Sequence, residues 1–277
     1  MNYKILGRYC FIYLMAFLPF VTFSQIPELL PSITSSTIPG DQEEIGTASD
    51  VGWDFYYNGI AEGELIPDFT LFDVNGNRLN MAEKLAEGKP VVLIAGSYTC
   101  WVFRGKVNMI RQIAQGFAGQ IKIIVVYTIE AHPVNEYNVY SGVYEGLNLN
   151  AQQGIMVGQP RTYGERREAA TAMINDLDLD FPVYLDDPDN NWWWNFGPAP
   201  NNAYLIDTTG TVFRSHGWFD RYPDNILCDL SSYFEIDICS TQLTGEFETT
   251  DMDLLLFVCL EFRLSFLGLS QLYSFCL

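Results

Sequence analysis

The chain has 277 residues, 48% of them hydrophobic and 18% charged, which excludes a wholly disordered protein and allows one sizeable domain with appendages. Its 34 acidic residues outnumber 15 basic ones, a net charge of −19. That surface repels phosphate backbones and anionic bilayers, so it argues against nucleic-acid binding and membrane adhesion and reads as a solubility device.

Residues 1–24 have the form of a secretory signal. Lys4 and Arg8 supply the basic start, Cys10 to Phe20 the apolar run, and Thr22 and Ser24 the small residues of a cleavage site before Gln25. The run is shorter than the ~20 residues that span a bilayer, which favours cleavage over an anchor. Cleavage removes two positive charges from −19 and leaves −21. Export to the periplasm or beyond follows. Residues 25–50, rich in Pro, Ser, Thr and acids, read as a linker or N-terminal arm. A domain is expected over 51–240 and an apolar tail over 241–277.

Within the domain, Ile66 to Asp73 reads as a strand, and Asn75-Gly76 as a tight turn into a second short strand, Arg78 to Met81. A helical turn covers Glu83 to Glu87. Pro90 to Gly96 is a continuous apolar run, as expected of a strand buried on both faces. Trp101 to Phe117 has helical periodicity and Ile121 to Tyr127 is a second buried strand. Arg161 to Leu177 reads as an amphipathic helix and Phe181 to Leu185 as a strand. Ala203 to Asp207 and Val212 to His216 form a hairpin. Strands alternating with helices in this order predict a three-layer α/β/α sandwich with an N-terminal β-hairpin extension.

The chemistry-bearing residues cluster at strand ends. Cys100 follows the first buried strand and begins a helix, where unpaired backbone N–H groups and the dipole favour a thiolate and lower a thiol pKa. Ser97 and Thr99 are polar neighbours able to donate to sulfur. Glu130 and His132 follow the second buried strand; on an extended segment they share a side, where a carboxylate beside an imidazole fixes its tautomer. His132 is thereby a candidate acid or base for Cys100. Pro200 precedes the next strand, and the isomer of its peptide bond is open from sequence.

Of six cysteines, Cys10 leaves with the signal. Pairing is favoured after export, and Cys228 with Cys239 and Cys259 with Cys276 are nearest in sequence, though four cysteines allow three connectivities. Cys100 is the odd one, as a working thiol would be.

Together these segments resemble a known family. Pro67-Asp68-Phe69-Thr70-Leu71, with Asp73 and Gly76, is similar to the opening of redoxin and peroxiredoxin domains. Gly96-Ser97-x-Thr99-Cys100 resembles the active-site segment of iodothyronine deiodinases, with Cys100 at the selenocysteine position. Tyr127-x-x-Glu130-Ala131-His132-Pro133 resembles the segment that supplies their catalytic Glu and His. Asp186, Asn190, Phe196, Pro200 and Tyr204 follow the later family pattern, and Tyr163-Gly164 to Ala169-Ala170, with Arg167, fits the helix before it. The likeness spans roughly residues 60 to 220.

The resemblance implies a thioredoxin-like fold, Cys100 as nucleophile, His132 as proton donor, Glu130 and Tyr127 as its supports, and Pro200 as a cis-proline facing the thiol. It departs from the family at Tyr98, where a second thiol is usual, and at Arg161 or Thr162, where a second pocket histidine is usual. Phe103 rules out a Cys-x-x-Cys pair, and Leu93 stands where peroxiredoxins have proline. The expected activity is a thiol-dependent oxidoreductase, with reductive dehalogenation as one form. The alternatives are a peroxide or disulfide reductase of peroxiredoxin or thioredoxin type, and a redoxin-fold binding module without chemistry. The expected partners are a small electrophilic substrate and an external thiol reductant; no bound cofactor or metal is expected.

Asp186 to Asn191 lacks the ligand spacing of a calcium loop and reads as a polar turn. Trp192-Trp193-Trp194 fits either an aromatic pocket or packing beneath a loop. Glu261 and Arg263 make the tail a poor spanning helix, at ~2.5–3.5 kcal/mol for each charge at mid-membrane. Docking on the domain, membrane contact and homodimer formation stay open for it.

Overall fold

The computed structural model describes residues 25–48, 51, 52, 55 and 58–236, together with two strands over 259–266 and 269–276. The expected signal segment and Cys239 lie outside the described residues.

β1 (Thr70–Asp73) and β2 (Arg78–Asn80) form the expected hairpin. Gly76 takes a φ of +83° at the turn, a conformation cheap only without a Cβ. Asn80 then caps α1 (Met81–Leu85), its side chain accepting from the Glu83 N–H at 3.0 Å. β3 (Val91–Gly96), α2 (Trp101–Gly116) and β4 (Lys122–Tyr127) form a βαβ unit with β3 and β4 parallel. After it come two-residue strands β5 (Glu136–Tyr137) and β6 (Tyr144–Glu145), paired with each other, and the single turn α3 (Leu149–Gln152). α4 (Tyr163–Asp176) returns the chain to β7 (Val183–Leu185), parallel to β4. α5 (Asn191–Asn195), the antiparallel pair β8 (Ala203–Ile206) and β9 (Val212–His216), and α6 (Ile226–Tyr233) complete the domain.

The sheet has seven strands in the order β2-β1-β7-β4-β3-β8-β9. The run β4-β3-β8-β9, which ends at one edge, is the thioredoxin-like arrangement: two parallel strands, then two antiparallel ones. The crossovers from β3 to β4 and from β4 to β7 step in the same direction, so α2 and α4 cover the same face. Alternation along β3 divides the core accordingly. Val92 and Ile94 pack with Phe103, Val107 and Ile110 of α2, Met173 of α4 and Leu230 of α6. Val91, Leu93 and Ala95 face Leu71, Leu79, Leu85, Trp192 and Phe196 on the other side. That second layer is thin: short helices α1 and α5 and the N-terminal arm supply it.

The arm is docked on the domain. Leu30 bridges to Pro67 and Glu44 to Thr162 in β-type contacts. The Thr34 hydroxyl donates to the Thr70 carbonyl at 2.8 Å, and Arg167 pairs with Asp41. A linker and an arm were both open from composition; the structure shows an arm.

Asp186 is buried beneath the polar turn, its carboxylate accepting from the backbone N–H groups of Trp192 and Trp193 at 3.0 and 2.9 Å. The fully buried Arg166 guanidinium donates to the carbonyls of Asp186 and Asp187 and to Asn190 Oδ1. Trp192 and Trp193 are buried on opposite faces of the sheet as packing, whereas Trp194 is exposed. The tail forms an antiparallel hairpin, β10 (Cys259–Phe266) and β11 (Leu269–Cys276), whose register sets Cys259 opposite Cys276. Among the described residues no helix is long and apolar enough to cross a membrane.

Candidate active site

Cys100 is the N-cap residue of α2, in extended conformation, and its Sγ accepts from the Phe103 N–H at 3.4 Å. The helix starts where β3 ends because Gly96 lets Phe103 fold back against the strand. A Cβ at Gly96 would lie 2.6 Å from the Phe103 ring. The expected placement of the thiol, at a strand end and a helix start, holds.

Its ionisation does not follow expectation. Cys100 is only 1% exposed, and burial pushes the thiol up to about 11. The N–H groups of Phe103 and Val102 pull the other way, as does the Arg104 charge, and they lose. Desolvating a thiolate costs more here than a helix N-terminus returns, so in this closed arrangement Cys100 is a neutral thiol.

Around the thiol loop the structure gathers Ser97, Thr99, Tyr127, Glu130 and His132, and Pro200 lies in the turn that leads into β8 alongside the end of β3. The Thr99 N–H and hydroxyl donate to Glu130 Oε2 at 2.9 and 2.6 Å, and the Tyr127 phenol donates to Glu130 Oε1. The Tyr98 N–H donates to the Tyr127 oxygen at 3.3 Å. Ser97 Oγ accepts from the Ala131 N–H at 3.3 Å, and Thr99 Oγ1 accepts from the His132 N–H at 3.1 Å. The β3 and β4 ends are thus stitched together through the three residues that precede Cys100. Glu130 is fully buried, and burial raises its pKa against the bonds from Thr99 and Tyr127 and the charge of Arg166. Burial likewise holds Tyr127 well above its ordinary range.

Glu130 is not the partner of the His132 ring. Residues 128–135 are bends, turn and irregular chain rather than strand, so the alternation that would put the two side chains together is absent. The ring instead has Nδ1 at 2.9 Å from Glu145 Oε1, and it stacks on Trp101 at 3.7 Å between centroids with 13° between planes. Glu145 also accepts from Asn138 Nδ2 at 2.6 Å and Asn148 Nδ2 at 2.9 Å. Sequence reasoning missed these three residues, Trp101 and Asn150. The buried Asn150 side chain donates to the carbonyls of Thr99 and His132, both at 2.9 Å, and accepts from Arg104 at 2.8 Å. Arg104 also donates to the Tyr98 carbonyl at 2.6 Å. Asn150 and Arg104 together latch α3 over the thiol loop. Inside the single-turn helix α3, two positions after its cap Asn148, Asn150 carries no sequence signal that separates it from a surface residue.

Pro200 is a second correction. Among the described residues the one cis peptide bond is Tyr222–Pro223, so the bond before Pro200 is trans. The turn there is closed by side chains instead. Asn202 Nδ2 donates to the carbonyls of Phe196 and Gly197 at 2.7 and 3.0 Å, and Asn201 Nδ2 donates to the Ala95 carbonyl at 2.9 Å. At the departures from the family pattern, Tyr98 is a buried phenol pushed up to about 12 by burial and by a bond to Asp176. Thr162 caps α4, and Arg161 pairs with Glu136.

Cys100 is a free cysteine, whereas Cys228 is disulfide-bonded. Its expected partner, Cys239, is not among the described residues. The described residues hold no group of three or more His, Cys, Asp or Glu able to bind a metal ion.

A family model described as iodothyronine deiodinase matches residues 45–226. Among solved structures the chain is similar to a protein from Sinorhizobium meliloti 1021, at 18% identity over 70% of this chain and 90% of that one, with a TM-score of 0.43. The thioredoxin domain of a thiol-disulfide oxidoreductase from Bacteroides vulgatus matches at 15% identity, 64% and 97% coverage, and a TM-score of 0.41. The exposed lipoprotein thioredoxin of Streptococcus pneumoniae strain TIGR4 matches at 17% identity, 60% and 98% coverage, and a TM-score of 0.41.

Proposed function

The chain belongs to the iodothyronine deiodinase family, and from that membership we propose that it is a thiol-dependent oxidoreductase with Cys100 as nucleophile and His132 as proton donor. One observation carries the reading. The residues on either side of Cys100 both hold His132: Thr99 Oγ1 accepts its backbone N–H, and the Trp101 ring stacks on its imidazole. Segments 30 residues apart converge on one thiol and one titratable ring.

The chemistry is a two-step exchange. The Cys100 thiolate attacks a soft atom X of a substrate R–X, where X is a halogen, a sulfur or a peroxide oxygen group. The S–X bond forms, the R–X bond breaks, and the electron pair leaves with R. His132 delivers a proton to R, giving R–H and the oxidised enzyme E–S–X. Two equivalents of an external thiol then return it: E–S–X + 2 R′SH gives E–SH + R′SSR′ + HX. Tyr98 and Phe103 occupy the positions from which a nearby second thiol would resolve Cys100, so the reductant is external. Glu130, Tyr127, Ser97 and Thr99 serve as supports that fix the two strand ends. Because the closed thiol is neutral, attack follows an opening of the latch formed by Asn150 and Arg104. A protein of an oxidising, exported compartment fits the disulfide at Cys228.

The burial of Cys100 favours one other reading, a redoxin-fold module that binds without reacting. Turnover separates the two. The purified protein with dithiothreitol is offered an iodinated phenol, an organic hydroperoxide and a small disulfide. At least one is reduced, and Cys100→Ser abolishes that reduction while leaving the fold intact, since serine is itself a good N-cap. Equal rates in wild type and variant refute the enzyme.

A further inference from the structure

The carboxylate that meets the His132 ring comes from the β5–β6 hairpin, thirteen positions beyond it. Its arrangement is specific. Glu145 Oε1 lies 2.9 Å from Nδ1, while Asn138 and Asn148 donate to its two oxygens and hold the carboxylate in place. Side-chain exposure is 13% for His132 and 17% for Glu145, so water screens the pair weakly. Trp101 fixes the plane of the ring from one side. Among the described residues no protein group bonds Nε2.

We propose that Glu145 is the positioning residue of His132: it accepts the Nδ1 proton, fixes the ring tautomer and stabilises the imidazolium from which Nε2 gives its proton to the leaving fragment. This rests on the reading of His132 as proton donor. The chemistry is that of a histidine oriented by a carboxylate, which must be held at one nitrogen to work at the other. Glu130, next but one in sequence, does not do this: its carboxylate is turned to Thr99 and Tyr127, and the ring's carboxylate contact is to Glu145. The hairpin that supplies Glu145 is therefore part of the site.

The test uses full-length protein carrying Glu145→Ala or Glu145→Gln, with the fold checked by circular dichroism. Nitrogen-15 spectra of the histidine rings, taken where the rings are neutral and assigned with His132→Gln, report the tautomer without reference to catalysis. Wild type is expected to carry the proton on Nδ1, and Glu145→Ala to show a mixture. Glu145→Gln, which keeps the acceptor oxygen and loses the charge, retains the tautomer. With a turned-over substrate, kcat falls at least about tenfold in both variants while KM stays within about twofold. A wild-type ring protonated on Nε2, or identical ring spectra and kcat in wild type and Glu145→Ala, overturns the proposal. If Cys100→Ser retains full turnover the enzyme reading fails separately, and the ring spectra still decide whether Glu145 sets the tautomer.

Discussion

His132 and His216 are the two histidines of the chain, and each has a ring nitrogen against a carboxylate, 2.9 Å from Glu145 and 2.7 Å from Asp229. The pairs look alike and differ in what surrounds them. His216 ends β9 and pins α6 to the sheet edge through Nε2, with Arg214 on the other oxygen of Asp229 at 3.3 Å. It is buried. His132 uses Nδ1 on its carboxylate, has no protein partner at Nε2 among the described residues, and lies against residues that flank Cys100 on both sides. On the proposed reading, a histidine–carboxylate pair is a structural clamp or a proton donor according to which nitrogen is committed and what the other faces.

Substitution of each histidine breaks this comparison most sharply. His132→Gln lowers kcat by about 10²–10⁴, the usual worth of a positioned acid, whereas His216→Gln leaves kcat within about twofold. Steady-state kinetics on the same substrate checks both, and equal losses would erase the distinction. Next in size is thiol reactivity. With a value of about 11, Cys100 at pH 7 is thiolate in roughly one molecule in 10⁴, on the order of a hundredfold less than free cysteine. Alkylation by iodoacetamide is slower by at least that factor in the closed protein. Asn150→Ala removes the bonds to Thr99 and His132 and speeds alkylation about tenfold or more, because each net hydrogen bond is worth ~1 kcal/mol.

The smallest effect is on stability. Burial alone would lower the His216 pKa; the hydrogen bond and charge of Asp229, with Asp224, more than offset this and hold it above 6.5. The stabilisation is therefore whole below about pH 6.5 and fades as pH rises through the higher folded-state value. His216→Gln costs about 1–3 kcal/mol at pH 6 and less at pH 9, readable in paired denaturant titrations. A penalty that grows with pH would contradict the ion pair.

Much of this was legible in the sequence, for physical reasons that also mark where legibility stopped. Val91–Gly96 and Lys122–Tyr127 are continuous apolar runs because both faces of a central strand are buried, and the helical period of α2 and α4 is long enough to read. The strands β5 and β6 have two residues each, too short for any period, and Glu145 was hidden with them. Glu130 was visible and meets Thr99 beside the thiol, yet its link to His132 assumed an extended segment where the chain bends. The thiol pKa was read from the helix N-terminus, a local feature. Burial is a property of the whole fold, and it reversed the sign. The turn at Pro200 is closed by Asn201 and Asn202, whose amides meet the chain at Ala95, Phe196 and Gly197 only after folding.

The most direct test of the account is the mass of the protein after reaction with substrate in the absence of external thiol. One equivalent of reduced product should be released, and a single adduct should appear on the peptide containing Cys100, removed by added thiol and absent from Cys100→Ser. Product release without an adduct on Cys100, or an adduct on another residue, would contradict a mechanism built on this thiol.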